Sequence, residues 1–212
     1  MILINNLYKT VKVNNQPLDI LKSIDLTINK GDFWIITGES GSGKSTLLNI
    51  IAGIDNYQKG EYYFNNQLIE TEKQRFNLRK KDLSMIVQNF ALLPNMNVIS
   101  NILLNKNDKA YALKLLKQFN IEALANKKVK LLSGGEKQRV AIIRALIKQP
   151  TILLADEPTG ALDSENSIQL FELFKQLNEN GLTIAVVTHN QDLIPYGNHH
   201  AIMKDGKLII EN

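Results

Sequence analysis

The run Gly38-Glu39-Ser40-Gly41-Ser42-Gly43-Lys44-Ser45 constrains this chain more than any other stretch, because of what stands on either side of it. Before it lies Phe33-Trp34-Ile35-Ile36-Thr37, a continuous apolar run too short for a helix and suited to a strand buried on both faces. After it, from Lys44, the residues Leu47, Leu48, Ile50 and Ile51 recur at helical spacing, with Gly53 as the stop. A buried strand that enters a helix through GxxxxGK[ST] is built to cradle a phosphate chain. The glycines let the backbone wrap with its N–H groups inward, and Lys44 and the helix N-terminus add positive charge. Ser45 offers a hydroxyl to magnesium, so Gly38 to Ser45, with the following Thr46, are the nucleotide-binding candidates.

The rest of the chain reads as strands and helices that alternate. Ile2 to Leu7 and Leu18 to Ile28 are extended runs, and Asn29-Lys30-Gly31-Asp32 is a turn. Gly60 to Phe64, Asn65-Asn66 and Gln67 to Ile69 read as a hairpin, since Asn tolerates the left-handed turn conformation. Residues 71–82 are polar and helical, and Leu83 to Val87 is a strand that runs into Gln88. Ala112, Leu115, Leu116 and Phe119 set a helical stripe within 98–127, and helices are expected over 137–149 and 164–180. Between and after those two lie buried strands at Ile152 to Ala155 and Leu182 to Val187, which predicts a parallel sheet. No repeat or Gly/Ser/Pro-rich linker divides the 212 residues, so one domain is expected. Its core and an antiparallel N-terminal part would occupy approximately 1–87 and 151–212, and a small helical part approximately 88–150.

Composition narrows the chemistry. The absence of Cys excludes disulfides, thiolate metal sites and Cys nucleophiles. The net charge of +4 comes from Lys far more than Arg, without the clustered Arg that reads bases, so no nucleic-acid partner is expected. No basic leader opens the chain and no window approaches about 18 uninterrupted apolar residues, so neither export nor a membrane span is expected.

A second acidic element follows the phosphate loop in sequence. Ile152-Leu153-Leu154-Ala155 ends in Asp156-Glu157, which can place Asp156 on magnesium and leave Glu157 to orient or deprotonate a water. Leu132-Ser133-Gly134-Gly135-Glu136-Lys137-Gln138-Arg139 opens an amphipathic helix and forms a second anion site at its N-terminus. With this stretch the chain resembles the ATP-binding cassette (ABC) ATPases, whose signature is LSGGQ; here its last residue is Glu136.

The resemblance covers essentially the whole chain and implies an α/β P-loop NTPase of the ABC ATPase fold. That fold has a RecA-like parallel-sheet core, an N-terminal antiparallel β-subdomain and a helical subdomain, here shortened. It implies ATP and Mg2+ as ligands and a homodimer in the ATP-bound state. Ser133, Gly134, Gly135 and Asp163 of one copy would then close over ATP held by the other. Gln88 matches the Q-loop glutamine, expected near magnesium and the attacking water; Ala161-Leu162-Asp163 matches the D-loop; and His189 matches the switch histidine that holds Glu157. His199 and His200 have no such context and are read as structural. One position departs: Val11 stands where the family usually stacks an aromatic on adenine, which predicts weaker or less selective nucleotide binding.

Glu157-Pro158-Thr159-Gly160-Ala161-Leu162-Asp163 resembles the lipoprotein-release and macrolide-export branch, and within it the bacteriocin-export ATPases of Gram-positive bacteria. Only residues 89–131, 43 in number, separate Gln88 from Leu132. The resemblance implies an ATPase on the cytoplasmic face of the membrane, powering a separate permease that exports or removes a peptide, antimicrobial or lipoprotein. The rival is an ABC ATPase that drives a membrane mechanotransducer of cell-wall regulation. Chromosome-organising and two-cassette translation proteins would need more chain than 212 residues.

Overall fold

A computed structural model describes residues 1–160 and 162–211. The described residues form two sheets. Strands β1 (Ile2–Val13), β2 (Gln16–Ile28), β4 (Lys59–Phe64) and β5 (Gln67–Leu68) pair antiparallel in the order β2-β1-β4-β5. Two Asn-Asn pairs close its hairpins: Asn14 and Asn15 at φ 50° and 63°, Asn65 and Asn66 at 49° and 62°. Positive φ at both central residues is what a two-residue hairpin turn requires. The first pair makes β1 and β2 longer than the apolar runs alone indicate.

The second sheet has the order β10-β9-β3-β8-β7-β6. Strands β3 (Phe33–Thr37), β6 (Leu83–Ile86), β7 (Ile152–Asp156) and β8 (Thr183–Thr188) are parallel, and β9 (His199–Lys204) runs parallel to β3 on its other side. Strand β10 (Lys207–Glu211) closes the edge antiparallel. The sheet is covered on both faces, as its uninterrupted apolar strands demand. Phe33, Ile35, Leu153, Ala155, Ile184 and Val186 point to one core; Trp34, Ile36, Ile152, Leu154, Ala185 and Val187 point to the other. The first core is completed by α5 (Gly134–Leu146) and α6 (Ser164–Glu179), with Phe171 and Phe174. The second is completed by α1 (Lys44–Ile51) and the inner face of the antiparallel sheet.

Helix α2 (Glu72–Lys81) is polar, buries only Leu78 and begins with a Thr71–Gln74 capping box. The helical stripe over 98–127 divides into α3 (Val98–Leu103) and α4 (Lys109–Gln118). It breaks because Asp108 takes up the N–H of Tyr111 and so starts a new helix. Helix α5 begins three residues before the expected 137, at Gly134, because Ser133 caps it. The hairpin β9-β10 was not foreseen, although its turn Asp205-Gly206, at φ 50° and 80°, is a strong hairpin dipeptide.

Candidate functional site

The loop between β3 and α1 is fixed by close approach. A Cβ on Gly38 would lie 2.2 Å from the carbonyl oxygen of Met203, and one on Gly43 would lie 2.9 Å from Leu21 Cδ2. Gly38, Gly41 and Gly43 have φ of 152°, 81° and 108°. Glu39, Ser40 and Gly41 are exposed on the rim, while Lys44 is buried and donates from Nζ to the carbonyls of Gly38 (2.7 Å) and Glu39 (2.9 Å). Ser42 is buried within this loop, and its Oγ has no hydrogen-bond partner among the described residues. A buried polar atom of this kind calls for a ligand group. Thr46 follows half-buried on α1. The loop lines a cavity of about 550 Å³ shared with Leu18, Ile20 and the Asp205-Gly206 turn.

The neighbouring ends of β6, β7 and β8 bring Gln88, the acidic pair Asp156-Glu157 and His189 to this loop. Asp156 closes β7 opposite Val187 of β8, and its Oδ1 accepts the Ser45 hydroxyl at 2.9 Å. Burial raises the Asp156 carboxyl above its ordinary value; the Ser45 hydrogen bond opposes this, the adjacent Glu157 charge adds to it, and Lys44 lowers it. A cation placed between Ser45 and Asp156 would relieve that desolvated charge.

Glu157 turns away at φ 46°, a conformation rarely held by a non-glycine residue. Its N–H donates to the Val187 carbonyl at 2.9 Å. Its Oε2 accepts from the Thr188 hydroxyl (3.2 Å) and the His189 N–H (3.3 Å), and lies 2.9 Å from His189 Nδ1. The strained backbone is thus held by a set of bonds converging on one carboxylate, whose side chain is 14% exposed beside a His189 side chain 69% exposed. Gln88 is exposed just beyond β6 and reaches the same corner over Gly160, where a Cβ would lie 3.3 Å from its amide nitrogen.

The second glycine stretch lies elsewhere. Ser133 Oγ accepts the Glu136 N–H at 3.3 Å, and Glu136 Oε2 accepts the Ser133 N–H at 2.7 Å, a reciprocal cap at the start of α5. Gly134 and Gly135 form the first turn, beside Asn166. Asp163 caps α6 and accepts from the Asn166 N–H at 2.8 Å, which with the Asn166 amide holds its carboxyl below the usual value. Ser133 to Glu136, Leu162 and Asp163 line a cavity of about 480 Å³ that shares no residue with the phosphate-loop cavity. Ala161 of the expected D-loop lies outside the described residues.

The structure therefore gathers Lys44, Ser45, Asp156, Glu157, His189 and Gln88 at one corner and Ser133, Gly134, Gly135 and Asp163 at another. It does not put Val11 in the first cavity. Val11 pairs with Leu18, but β2 is the edge strand beside the Asp205-Gly206 turn, where Lys22 N–H donates to the Gly206 carbonyl at 2.7 Å. Leu18 and Ile20 of β2 thus reach the cavity, one strand nearer than Val11. Sequence reasoning also missed Thr188 and Gln138, whose amide donates to the Pro158 carbonyl beside Glu157. His200 lies between Thr37 Oγ1 at 2.9 Å and Glu211 Oε2 at 3.0 Å.

A family model described as ABC transporter matches residues 21–160. The ABC transporter ATP-binding protein YvrO of Bacillus subtilis is 37% identical over 221 residues, covering 100% of this chain and 96% of the relative. The macrolide export ATP-binding/permease protein MacB of Chlorobium phaeobacteroides is 38% identical, covering 96% of this chain but 32% of the relative. Among solved structures, a dimeric post-hydrolysis state of the ATP-binding cassette MJ0796 bound to ADP and Pi superposes with a TM-score of 0.89. It is 36% identical and covers 100% of this chain and 97% of that one.

Proposed function

The chain belongs to the ABC transporter family as an ATP-binding ATPase subunit, and from that premise we propose that it drives a separate membrane permease in export. The cargo class we propose is a peptide, an antimicrobial or a lipoprotein. The likeness to MacB supports this, since that relative's name joins macrolide export to an ATP-binding part and a permease, and this chain matches 32% of it. No helix of the described residues is long and apolar enough to cross a membrane. In this reading the chain sits at the cytoplasmic face of the permease it drives. A cleft of about 340 Å³ between the segment after α1, α2, β6 and α5, with Ile54, Arg79, Arg144 and Lys148 in its walls, is the surface we propose for that contact.

In the proposed site, Gly38 to Thr46 hold the phosphates of ATP, with Lys44 turning its ammonium from backbone carbonyls to phosphate oxygens. Ser45 and Asp156, with Gln88, would hold Mg2+. They supply hydroxyl, carboxylate and amide oxygens, and the described residues contain no cluster of three or more His, Cys, Asp or Glu. A sparse oxygen set is typical of magnesium, which takes its other ligands from phosphates and water. Bound there, the metal would neutralise charge on the phosphates. Glu157 takes the proton of the attacking water as its oxygen bonds to the terminal phosphorus and ADP departs. His189 and Thr188 keep the Glu157 carboxylate aimed, and Gln88 orients the same water.

Because Ser133 to Gly135 and Asp163 border a separate cavity, one chain leaves them without a phosphate to meet. A homodimer in which they close over the partner's ATP would employ them, and the dimeric MJ0796 structures support this. An aliphatic platform of Leu18 and Ile20, rather than an aromatic one, predicts comparable ATP and GTP affinities in equilibrium titration.

The observation that carries the reading is the convergence of Ser45–Asp156 and Glu157–His189, each at 2.9 Å, beside the phosphate loop. Its test is Glu157→Gln. Turnover should fall about 10²- to 10⁴-fold with ATP binding retained, and the variant should run as a dimer with Mg-ATP in size exclusion with light scattering. Wild-type turnover in that variant would refute the assignment.

A further inference from the structure

The turn after Gln88 is strained, and one side chain holds it. Phe90 and Ala91 both adopt left-handed backbone, at φ 56° and 46°, the first of them a bulky residue 8% exposed. For L-residues this conformation brings Cβ against the following carbonyl, so two in succession need outside support. Inside the turn, the Phe90 N–H reaches the Val87 carbonyl at 2.8 Å and the Ala91 N–H the Asn89 carbonyl at 2.6 Å. The outside support is Arg144, in the last turn of α5. Its two terminal nitrogens donate separately to the carbonyls of Phe90 (2.6 Å) and Ala91 (2.7 Å). A planar guanidinium is suited to two such parallel bonds, and an ammonium is not.

Helix α5 has other attachments. Its first turn carries Ser133 to Gly135, and its Gln138 amide, buried, donates to the Pro158 carbonyl next to Glu157. Asn105, after α3, donates to the Arg144 carbonyl at 2.8 Å and steadies the far end. One element about 20 Å long by its rise per residue thus touches the second glycine stretch, the Glu157 loop and the Gln88 turn.

We infer that Arg144 is a positioning residue for Gln88: it clamps Phe90 and Ala91 in the left-handed turn and so ties the placement of Gln88 to the position of α5. A shift of α5 at its signature end is then felt at Gln88 without any direct contact between the two. This rests on the proposed role of Gln88, and its test separates the two.

Amide hydrogen exchange over residues 87–92 and steady-state ATP hydrolysis are measured on the full chain for wild type, Arg144→Lys, Arg144→Ala, Gln88→Ala, and Arg144→Lys combined with Ala91→Gly. Arg144→Lys keeps charge and length, so the protein should fold; exchange should quicken about tenfold in 87–92 and little elsewhere. Its kcat should fall at least about fivefold with KM for ATP within about twofold. Adding Ala91→Gly should restore about half or more of that kcat, since glycine holds positive φ without the clamp. A merely structural role would instead loosen all of α5, with no rescue by Ala91→Gly, and would overturn the inference. Unchanged exchange over 87–92 in Arg144→Lys and Arg144→Ala would overturn it without reference to turnover. Slow hydrolysis in Gln88→Ala with full hydrolysis in both Arg144 variants would remove the clamp alone. Full hydrolysis in Gln88→Ala would remove the role of Gln88 and the clamp with it.

Discussion

Two glycine-rich loops enter helices in this molecule, and they end those helices in opposite ways. Helix α1 starts at Gly43, at φ 108°, with no side chain capping its first N–H groups. Helix α5 starts at Ser133, where the serine hydroxyl and the Glu136 carboxylate satisfy each other's backbone N–H groups. An uncapped helix N-terminus leaves orphan donors that a phosphate can take. A capped one is stable alone and meets a ligand with its donors partly in use. The difference bears on the proposed roles of the two loops: the α1 loop keeps open donors for a ligand of its own chain, while the α5 loop would be a finished surface that a second chain brings to it.

The largest break in that comparison is a matched pair of substitutions. Gly38→Ala puts a Cβ 2.2 Å from a backbone carbonyl at positive φ. It should cost at least about 3 kcal/mol and abolish nucleotide binding. A drop of about 6–12 °C in Tm would report it. Gly135→Ala adds a Cβ 3.3 Å from the Asn166 side-chain oxygen inside a helix, where alanine is favoured. The monomer should stay within about 1 kcal/mol of wild type or gain slightly, while ATP-driven dimerisation weakens. Equal losses in the two variants would remove the asymmetry between the loops.

A smaller effect sharpens it. The Asp156 carboxyl is raised by burial, so its ionised form weakens the free fold. The folded state therefore holds its proton to higher pH than the unfolded state does. Stability of the free chain from this group falls as pH rises from about 3.8, the ordinary value of an Asp carboxyl, through the raised folded value. Asp156→Asn should then raise the Tm of the free chain at pH 7 by about 1–3 °C. The same variant should lose the stabilisation that Mg-ATP gives wild type, measured as the ligand-dependent Tm shift. A lower Tm without ligand would mean that what favours the charged carboxylate, the Ser45 hydroxyl bond to it and Lys44, outweighs its burial.

The sequence made the α1 loop legible because each of its parts has a local signature: an apolar strand, glycines, Lys44 and a helical stripe. The acidic pair after β7 and His189 after β8 were legible for the same reason, since the end of a buried strand fixes where the next residue emerges. What the sequence hid depends on pairing between distant strands. Leu18 rather than Val11 reaches the cavity only because β2 takes the edge of its sheet beside the Asp205-Gly206 turn. Arg144 reads as an ordinary charge near a helix C-terminus until the turn at Phe90 and Ala91 is seen beneath it. The break between α3 and α4 was readable at Asp108, a capping residue that the apolar stripe outweighed.

The α5 cap gives the finest tests. Ser133→Ala removes the hydroxyl that takes the Glu136 N–H, and should cost about 1 kcal/mol of monomer stability. Glu136→Gln is subtler, because Gln can accept from the Ser133 N–H as Glu does and keep the reciprocal cap. What it loses is a negative charge at a helix N-terminus, worth about 0.3–1 kcal/mol. The same charge would oppose a phosphate brought to this end of α5 by a second chain. Glu136→Gln should therefore lower the Tm of the monomer by about 1–3 °C and strengthen the Mg-ATP-dependent dimer. The two effects carry opposite signs, and sedimentation at several protein concentrations, beside a melting curve, reads both. A variant weakened in both would show that Glu136 faces solvent, not phosphate, in the assembled pair.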